Sequence, residues 1–339
     1  MTKSFLPAFI ALFLAGCSTS PVAESTSKVP SPTPEASSSV GAVSVHGRLR
    51  TAGNQIVGKH GEPVSLAGMS FFWSQWKGEF YQPSTVAWLK ADWQANLVRA
   101  AVGVGRDGQP DPDLDKVHAL IRAAIDQDIY VIIDWHDHRA EAHTAAAVAF
   151  FEEMARTYAG NPHVIYEIYN EPLQVSWSET IKPYAETVIA AIRAHDPDNL
   201  IIVGTPNWSQ RVDEAAADPL DDSNVAYTLH FYAGTHKADL RARAITALEA
   251  NIALFVTEWG TVNADGDGEV DHESVAAWMK FMRQWNLSHA NWAVSDKEEG
   301  ASIVRPGAST SGGWTDDDLT ASGRFVRELI RDWNQPVAR

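Results

Sequence analysis

Apolar runs that alternate with helix-like segments constrain the fold of this chain more than any other feature of its sequence. From Val64 onward there are eight runs with the length and composition of buried strands. They are Val64–Phe72, Ala95–Val104, Tyr130–Trp135, Val164–Tyr169, Leu200–Thr205, Val225–Phe231, Ile252–Thr257 and His289–Val294. Strands that alternate with helices pair in parallel, because each helix carries the chain back across the sheet. Eight repeats in roughly 280 residues predict a closed (β/α)8 barrel, the TIM-barrel fold.

The segments between the runs have the periodicity of amphipathic helices. In Leu114–Gln127, apolar residues recur every three or four positions and therefore share one helix face. Similar segments are Ala145–Tyr158, Ile181–His195, Asp239–Glu249, His272–Trp285 and Thr320–Trp333. Before the first run, Leu49–Thr51 and Gln55–Val57 predict a short β-hairpin that covers the barrel bottom. A doubly wound open sheet is the alternative, but no glycine-rich phosphate loop follows the first run.

The composition fits one catalytic domain that acts on a neutral ligand. Hydrophobic residues make up 45% of the 339 residues, which is enough for a large core. Barrels of this size are often a single domain. A net charge of −16 argues against a nucleic-acid partner, whose phosphates require a basic face. The charge is compatible with an enzyme that acts on a neutral polymer, and we expect no nucleic-acid partner.

Two carboxylates each follow an apolar run and stand next to a proline or a tryptophan. Glu171 precedes Pro172 after the fourth run, and Glu258 precedes Trp259 after the seventh. The carboxyl ends of barrel strands meet at one rim, where active sites of this fold lie. Cleavage of a glycosidic bond needs two carboxyl groups, one to donate a proton and one to attack or stabilise the anomeric carbon. The pair therefore predicts glycoside hydrolysis.

Other polar and aromatic residues also fall at the ends of the runs. The side chains expected at this rim are Arg99, His136, His138, Asn170, His230, Tyr232 and Trp292. The chain has thirteen tryptophans, several of them at or just after strand ends, where a flat ring can stack on a sugar. These are Trp73, Trp76, Trp135, Trp208, Trp259 and Trp292. We expect about half of the tryptophans to fill the core instead.

The motifs at these strand ends resemble those of glycoside hydrolase family 5, in particular its bacterial endoglucanases. The motifs are Asp134–His136, Asn170–Pro172, His230–Tyr232, Thr257–Gly260 and Asn291–Ala293. The resemblance extends from about Val43 to Trp333. It implies a retaining endo-β-1,4-glucanase without metal or organic cofactor, in which Glu171 is the acid/base and Glu258 the nucleophile. An endo-hydrolase of mannan, xylan or mixed-linkage glucan is the alternative.

The resemblance also implies which residues bind the substrate. It assigns Arg99, His136, Asn170, His230, Tyr232 and Trp292 to the subsite around the cleaved bond. The segments Asn207–Gln210, with Trp208, and Asp296–Glu299, with Lys297 and Glu299, resemble parts of the substrate cleft. We expect Trp73 and His138 to contact the substrate as well. Many relatives carry a His-Gly pair after the first strand, whereas this chain has Ser70–Trp76, so the far donor-side subsites are expected to differ.

A metal-dependent hydrolase on the same barrel is the rival enzymatic interpretation. His136, His138, His230 and Asp296 offer metal-ligand chemistry. However, the paired histidines of amidohydrolase-type metal barrels lie on the first strand, whereas this pair falls at the third run. In addition, the fourth and fifth runs end in neither His nor Lys. Asn263–Asp271 faintly resembles a calcium loop, but its twelfth position is Ser274 instead of the required Glu. A non-catalytic carbohydrate-binding protein is less favoured, because binding alone does not need paired acids.

Residues 1–16 have the pattern of a bacterial lipoprotein signal peptide. Lys3 gives a positive start, Phe5–Leu14 is a short apolar run, and Leu14–Cys17 resembles the cleavage and lipidation motif. Cys17 is the one cysteine in the sequence, so we expect lipidation of its thiol rather than a disulfide framework.

The stretch after Cys17 is rich in Ser, Pro and Thr up to Ala42. Such a composition cannot bury enough apolar surface to fold, so residues 17–42 are predicted to form a disordered linker before a catalytic domain at 43–339. We expect a monomer anchored to the outer membrane or cell surface, with a secreted enzyme as the alternative.

Overall fold

The computed structural model describes residues 40–335, and in these residues eight parallel strands close into a barrel. The strands, in order around the barrel, are β3 (Ala67–Phe71), β4 (Leu97–Gly103), β5 (Tyr130–His136), β6 (Val164–Glu167), β7 (Ile201–Val203), β8 (Val225–Tyr232), β9 (Leu254–Gly260) and β10 (His289–Val294). β10 pairs with β3 and so completes the ring. The predicted (β/α)8 barrel is confirmed.

Helices connect the strands and cover the outside of the barrel. The longer helices are α3 (Pro83–Ala91), α4 (Leu114–Asp126), α5 (Thr144–Tyr158), α6 (Lys182–Arg193), α9 (Ala238–Glu249), α10 (His272–Trp285) and α11 (Ala321–Asn334). Short helices are α1 (Ala42–His46), α2 (Ser74–Lys77), α7 (Pro206–Ser209) and α8 (Val212–Ala217). The sequence did not predict α3, whose buried residues, Thr85, Val86 and Leu89, include a polar one and so form no clear apolar stripe.

The predicted hairpin covers the bottom of the barrel. It consists of β1 (Arg50–Ala52) and β2 (Gln55–Val57), which pair antiparallel. Ile56 of this hairpin packs in one apolar cluster with residues from all eight runs, including Leu97, Ile132 and Ile165. Because residues from all around the ring meet in this cluster, it fills the lower interior of the barrel.

Above this apolar layer, the interior of the barrel becomes polar. Side chains alternate between the two faces of a strand, so the inward series of β5 continues from Tyr130 and Ile132 to Asp134 and His136. The outward series, which includes Ile133, packs under the helices. A single alternation thus gives β5 an apolar base and a polar upper end at the rim of the barrel.

Two residues assigned to the linker by the sequence pack with the catalytic domain instead. Gly41 and Ala42 are buried, and the backbone N–H of Ser44 donates to Asp128 at 3.1 Å. Ala42 therefore belongs to the folded unit and not to the linker. The predicted signal peptide, Cys17 and the linker as far as residue 39 lie outside the described residues. None of the helices in residues 40–335 is both long and apolar enough to cross a membrane.

Candidate active site

Glu171 and Glu258 come together at the rim of the barrel. Glu171 lies just beyond β6 and Glu258 lies within β9. One carboxylate oxygen of each residue is within 4.8 Å of the other. Retaining glycosidases hold their two carboxyl groups ~5–5.5 Å apart, whereas inverting enzymes leave ~6.5–9.5 Å for a water molecule. The separation fits direct attack by one carboxylate and leaves too little room for the inverting arrangement.

Glu258 is held by donors at both of its oxygens. The hydroxyl of Tyr232 donates to Oε1 at 2.7 Å, and Nη1 of Arg99 donates to Oε2 at 3.0 Å. Both oxygens of this carboxyl group thus accept a hydrogen bond, one of them from a charged donor. The strand register brings a further residue next to Glu258. The pairing of β8 with β9 shifts between Thr228 and His230, and this shift places His230 opposite Glu258. The arrangement suits a carboxylate that must carry a negative charge.

Arg99 does not take the role in substrate binding that the sequence predicts. Its side chain has no solvent exposure, so it cannot reach a sugar in this structure. Its guanidinium instead contacts the carboxylates of Asp134 (2.9 Å) and Glu167 (2.7 Å) in addition to Glu258. Burial alone would lower the pKa of Arg99, but these three acids raise it above its ordinary value. Arg99 is therefore a permanent buried cation beneath the site.

Asn170 is fixed by the same guanidinium. Nη2 of Arg99 donates to Oδ1 of Asn170 at 2.6 Å, and this bond turns the amide nitrogen of Asn170 away from Arg99. The backbone carbonyl of Asn170 accepts a hydrogen bond from Ser209 at 2.7 Å. Asn170 is almost completely buried, and these two bonds fix it directly before Glu171 in the chain.

Glu171 has the environment of a proton donor. Burial raises the pKa of Glu171 well above its ordinary value, and the nearby charge of Glu258 raises it further. Its side chain keeps 13% exposure, so a substrate can reach it. Oε1 lies 2.9 Å from Nδ1 of His230, and its backbone carbonyl lies 3.2 Å from Nδ1 of His138. Burial is the largest cause of the raised pKa.

Both buried histidines at the rim are held neutral. Burial lowers the pKa of His136 and of His230 well below the ordinary value, and the charge of Arg99 lowers both further. Nδ1 of His136 lies 2.6 Å from Oδ2 of Asp134. Burial also raises the pKa of Asp134 to about 8, against the opposing effect of Arg99. Neutral imidazoles therefore surround the two glutamates and add no positive charge.

An aromatic cleft extends to one side of the glutamates. This depression, about 220 Å³ in volume, is lined by Glu171, Glu258 and a group of residues from β10 and from the segments that follow β3 and β10. The group includes Phe72, Trp73, Trp76, Trp292, Lys297 and Glu299. The rings of Trp73 and Trp76 stack at 4.8 Å, and that of Trp292 stacks on His136 at 5.2 Å. The segment Ser70–Trp76 thus supplies the aromatic surface on this side.

A second depression of about 430 Å³ lies on the other side of the same glutamates. It is lined by Asn207, Trp208, Gln210, His230, Tyr232 and His236 together with Glu171 and Glu258. Trp208 is 40% exposed, and its backbone is left-handed, as are those of Asn207 and Ser209. Such backbone costs free energy in residues other than glycine. The N–H groups of Asn207 and Trp208 donate to Leu173 and Pro172 at 3.0 and 2.8 Å, which fastens this loop to the segment after Glu171.

The six tryptophans predicted at strand ends divide into two groups. Trp135 and Trp259 are completely buried in the core under the helices. Trp73, Trp76, Trp208 and Trp292 line the cleft. The difference follows from strand alternation, because Trp135 lies on the outward face of β5.

The predicted alternative metal site is not assembled. Asp296 pairs with Lys77 at 2.5 Å, and His136 bonds to Asp134. Across the described part of the chain, the one His and carboxylate group close enough to share an ion is Glu171, His230 and Glu258. These side chains are already joined to each other or to Tyr232 and Arg99 by hydrogen bonds. The geometry therefore disfavours the metal-dependent interpretation.

Sequence reasoning assigned no role to three residues beneath the site. Asp134, Glu167 and Thr257 are completely buried inside the barrel and contact Arg99, His230 or each other. Only one signal pointed to Glu167: a carboxylate in the middle of the apolar run Val164–Tyr169, where a buried strand rarely carries a charge.

Comparison with known proteins identifies the family of this site. The sequence model of the Cellulase family (glycosyl hydrolase family 5) matches residues 57–298. Endoglucanase Z of Dickeya dadantii is 56% identical over 293 residues, which cover 84% of this chain and 66% of that protein. A solved structure from Cytophaga hutchinsonii is 50% identical with a TM-score of 0.85, over 87% of this chain and 97% of that chain.

A ligand complex is also known among the similar structures. The catalytic domain of Thermobifida fusca endoglucanase Cel5A is 35% identical with a TM-score of 0.81, over 85% of this chain and 99% of that domain. A variant of the same domain, 34% identical to this chain, was solved in complex with cellotetraose. Its TM-score is 0.81, and the match covers 85% of this chain and 99% of that domain. The chain spans about two-thirds of the length of endoglucanase Z.

Proposed function

This chain belongs to glycosyl hydrolase family 5, and from that membership and the geometry of its site we propose that it is a retaining endo-β-1,4-glucanase. The observation that carries the proposal is the approach of Glu171 and Glu258 to within 4.8 Å in an open cleft. The named endoglucanases and the cellotetraose complex among its relatives support β-1,4-glucan as the substrate. One chain carries both glutamates and the groups that hold them, so we infer that a monomer is sufficient.

The first half of the reaction follows from the state of each glutamate. Oε of Glu258, ionised next to Arg99 and Tyr232, attacks the anomeric carbon and forms an ester bond. The glycosidic bond breaks, and its oxygen takes the proton of Glu171, whose pKa is raised. The product is a glycosyl-enzyme with neutral Glu258, an ionised Glu171 and a free leaving-group sugar.

The second half reverses the roles of Glu171. A water molecule replaces the leaving group, and ionised Glu171 takes its proton while the oxygen attacks the anomeric carbon. The ester to Glu258 breaks and its carboxylate is restored next to Arg99. Two inversions leave the product with the configuration of the substrate. Asn170 is held by Arg99 through its Oδ1, and we infer that its amide nitrogen donates to the hydroxyl next to the anomeric carbon, a bond that strengthens in the transition state.

An endo-acting mode is favoured by the cleft on both sides of the glutamates. Trp73, Trp76 and Trp292 line one side and Trp208 lines the other. Flat aromatic faces can stack on the apolar faces of glucose rings on either side of the cleaved bond. A chain bound across both halves is cut internally, whereas a pocket closed on one side would restrict cleavage to chain ends.

A panel of soluble polysaccharides tests the proposal. We expect the enzyme to cleave carboxymethylcellulose and β-glucan faster than mannan or xylan, with a rapid fall in viscosity for each bond broken. Glu171→Gln and Glu258→Gln should each abolish this fall while circular dichroism remains that of the folded wild type. Faster cleavage of mannan or xylan, or a slow fall in viscosity with many reducing ends formed, would contradict the proposal.

We also propose that the enzyme is anchored to the outer membrane or cell surface through a lipid on Cys17. The support is the order of Lys3, the apolar run Phe5–Leu14 and the motif Leu14–Cys17. Fractionation of cells that express the wild type or Cys17→Ala tests this location. Membrane-bound wild type and released Cys17→Ala are expected. Release of both proteins into the medium would contradict an anchor.

A further inference from the structure

Glu171 is joined to a second buried carboxyl group by a continuous chain of hydrogen bonds. Oε1 of Glu171 lies 2.9 Å from Nδ1 of His230, whose Nε2 lies 2.9 Å from Oγ1 of Thr257. Oγ1 of Thr257 in turn lies 2.6 Å from Oε1 of Glu167. His230, Thr257 and Glu167 are all at most 1% exposed, so bulk water does not compete for these bonds. The four groups form one buried relay.

The hydrogen bonds of this relay cannot be oriented independently. The single hydroxyl proton of Thr257 can be donated either to Glu167 or to His230. If Thr257 donates to Glu167, its oxygen accepts from Nε2–H of His230. Since this imidazole is neutral, its Nδ1 is then unprotonated and can only accept. The bond to Glu171 then requires a proton on Glu171.

The groups around Glu167 favour this orientation. Nε of Arg99 donates to its Oε2 at 2.7 Å, and the hydroxyl of Thr228 lies 3.4 Å from Oε1. The remaining charged or titratable neighbours are Asp134, which shares Arg99, and His230, whose Nε2 lies 3.8 Å away. Apart from Thr257, the groups that hydrogen-bond to Glu167 are therefore Arg99 and Thr228. Both donate to it, as a carboxylate requires.

The protonation states of the two buried acids, Glu167 and Asp134, favour the same orientation. Burial raises the pKa of Glu167 and of Asp134 to about 8, and Arg99 opposes the rise at both. Protonation of one acid lowers the pKa of the other, because the two charges repel. Asp134 is the better site for this proton: its Oδ1 has no hydrogen-bond partner among the described residues, and its Oδ2 faces Nδ1 of neutral His136. A neutral Asp134 and an ionised Glu167 therefore satisfy the contacts of both acids best.

We propose that Glu167 is a positioning residue for the acid/base, and that it acts through Thr257 and His230 to keep the proton of the relay on Glu171. The proposal rests on the glycosidase function proposed above. Ionised Glu167 draws the hydroxyl of Thr257, Thr257 draws Nε2–H of His230, and the free lone pair of Nδ1 holds the acid proton of Glu171. Once this proton leaves with the departing sugar, the lone pair faces an anion, which increases the tendency of Glu171 to take a proton from water.

Substitution of Thr257 breaks the relay without changing any charge. Thr257→Val removes the acceptor of Nε2–H, so His230 can place its proton on Nδ1 and stabilise ionised Glu171. For substrates that need an acid, the alkaline limb of the pH profile of kcat/KM should shift to lower pH by roughly one unit. Thr257→Ser keeps the hydroxyl and should keep the limb in place. Glu167→Gln, whose amide can donate to Thr257, should move the limb in the same direction as Thr257→Val.

A substrate that needs no acid separates this effect from a general loss of structure. For a dinitrophenyl cellobioside, kcat/KM of Thr257→Val should stay within roughly threefold of the wild type, because its leaving group departs without a proton. Equal losses on both substrates, or an unmoved alkaline limb in Thr257→Val, would overturn the proposal.

The tautomer of His230 provides a readout that does not depend on activity. In ¹⁵N NMR of the labelled wild-type protein near neutral pH, with His230→Asn to assign the signals, the imidazole should be neutral and protonated on Nε2. In Thr257→Val the proton should move to Nδ1. A wild-type proton on Nδ1 would overturn the relay even if the enzyme cleaves glucan. An Nε2 proton in a protein that fails to cleave glucan would leave the relay intact and contradict only the proposed function.

Discussion

Nη1 of Arg99 lies 3.0 Å from Oε2 of Glu258, with no exposure of the arginine side chain and 5% exposure of the glutamate. The same guanidinium also contacts Asp134 and Glu167. One buried cation thus balances three carboxyl groups and fixes the carboxylate proposed to attack the sugar. Its geometry matters as much as its charge, because only a guanidinium offers donors in several fixed directions.

Arg99→Lys should fold but lose most of its activity. A lysine keeps the charge but cannot donate to Glu258, Glu167 and Asn170 at once, so kcat should fall by roughly 100-fold or more. Arg99→Met should in addition lower the free energy of unfolding by about 3–5 kcal/mol, because buried carboxylates remain without a partner. Steady-state kinetics and urea unfolding measure both effects, with exposed Arg50→Lys as the control. Wild-type kcat in Arg99→Lys would contradict this role.

Small anions should distinguish the two glutamates. In Glu171→Ala, an activated aryl substrate needs no proton, so the glycosyl-enzyme should form and then accumulate. Azide should restore turnover and give a glycosyl azide of retained configuration. In Glu258→Ala, azide should instead give an inverted product. Inverted product from Glu171→Ala would mean that the roles are reversed.

The aromatic residues on the two sides of the cleft should contribute to binding of the polymer. Trp76 and Trp208 are 61% and 40% exposed and line opposite depressions. Trp76→Ala and Trp208→Ala should each raise KM for carboxymethylcellulose by roughly tenfold, about 1.4 kcal/mol, with a smaller effect on kcat. Val45→Ala, an exposed apolar residue on α1, provides the control. An unchanged KM in both tryptophan variants would show that these rings do not hold the chain.

Stability in acid should depend on His289. Burial, and to a lesser extent Arg283, lowers the pKa of His289 to about 3 in the folded protein, while its ordinary value is 6.5. The unfolded chain therefore takes up this proton first as the pH falls, and stability is lost between pH 6.5 and about 3. His289→Gln cannot take up the proton, so its free energy of unfolding should fall less steeply with decreasing pH than that of the wild type. The two slopes should differ by up to about 1.4 kcal/mol per pH unit. Urea unfolding between pH 7 and 4.5 measures the slopes, and parallel slopes would contradict the prediction.

The sequence predicted the frame of the fold and the positions of the acids. β10 (His289–Val294) and α10 (His272–Trp285) have the predicted bounds. Both segments have a clear periodicity and well-defined ends in the sequence. The roles of Glu167 and Thr257 could not be predicted. Their contacts join β4, β6 and β9, which are brought together only when the barrel closes, and no local pattern records that distance.

The configuration of the first product tests the central claim most directly. Glu171 and Glu258, with oxygens within 4.8 Å, predict a double displacement on β-1,4-glucan. In ¹H NMR of cellohexaose hydrolysis by the wild-type enzyme, the new reducing ends should appear first as the β anomer and reach the α/β equilibrium only later by mutarotation. Initial release of the α anomer would show inversion and would contradict the account.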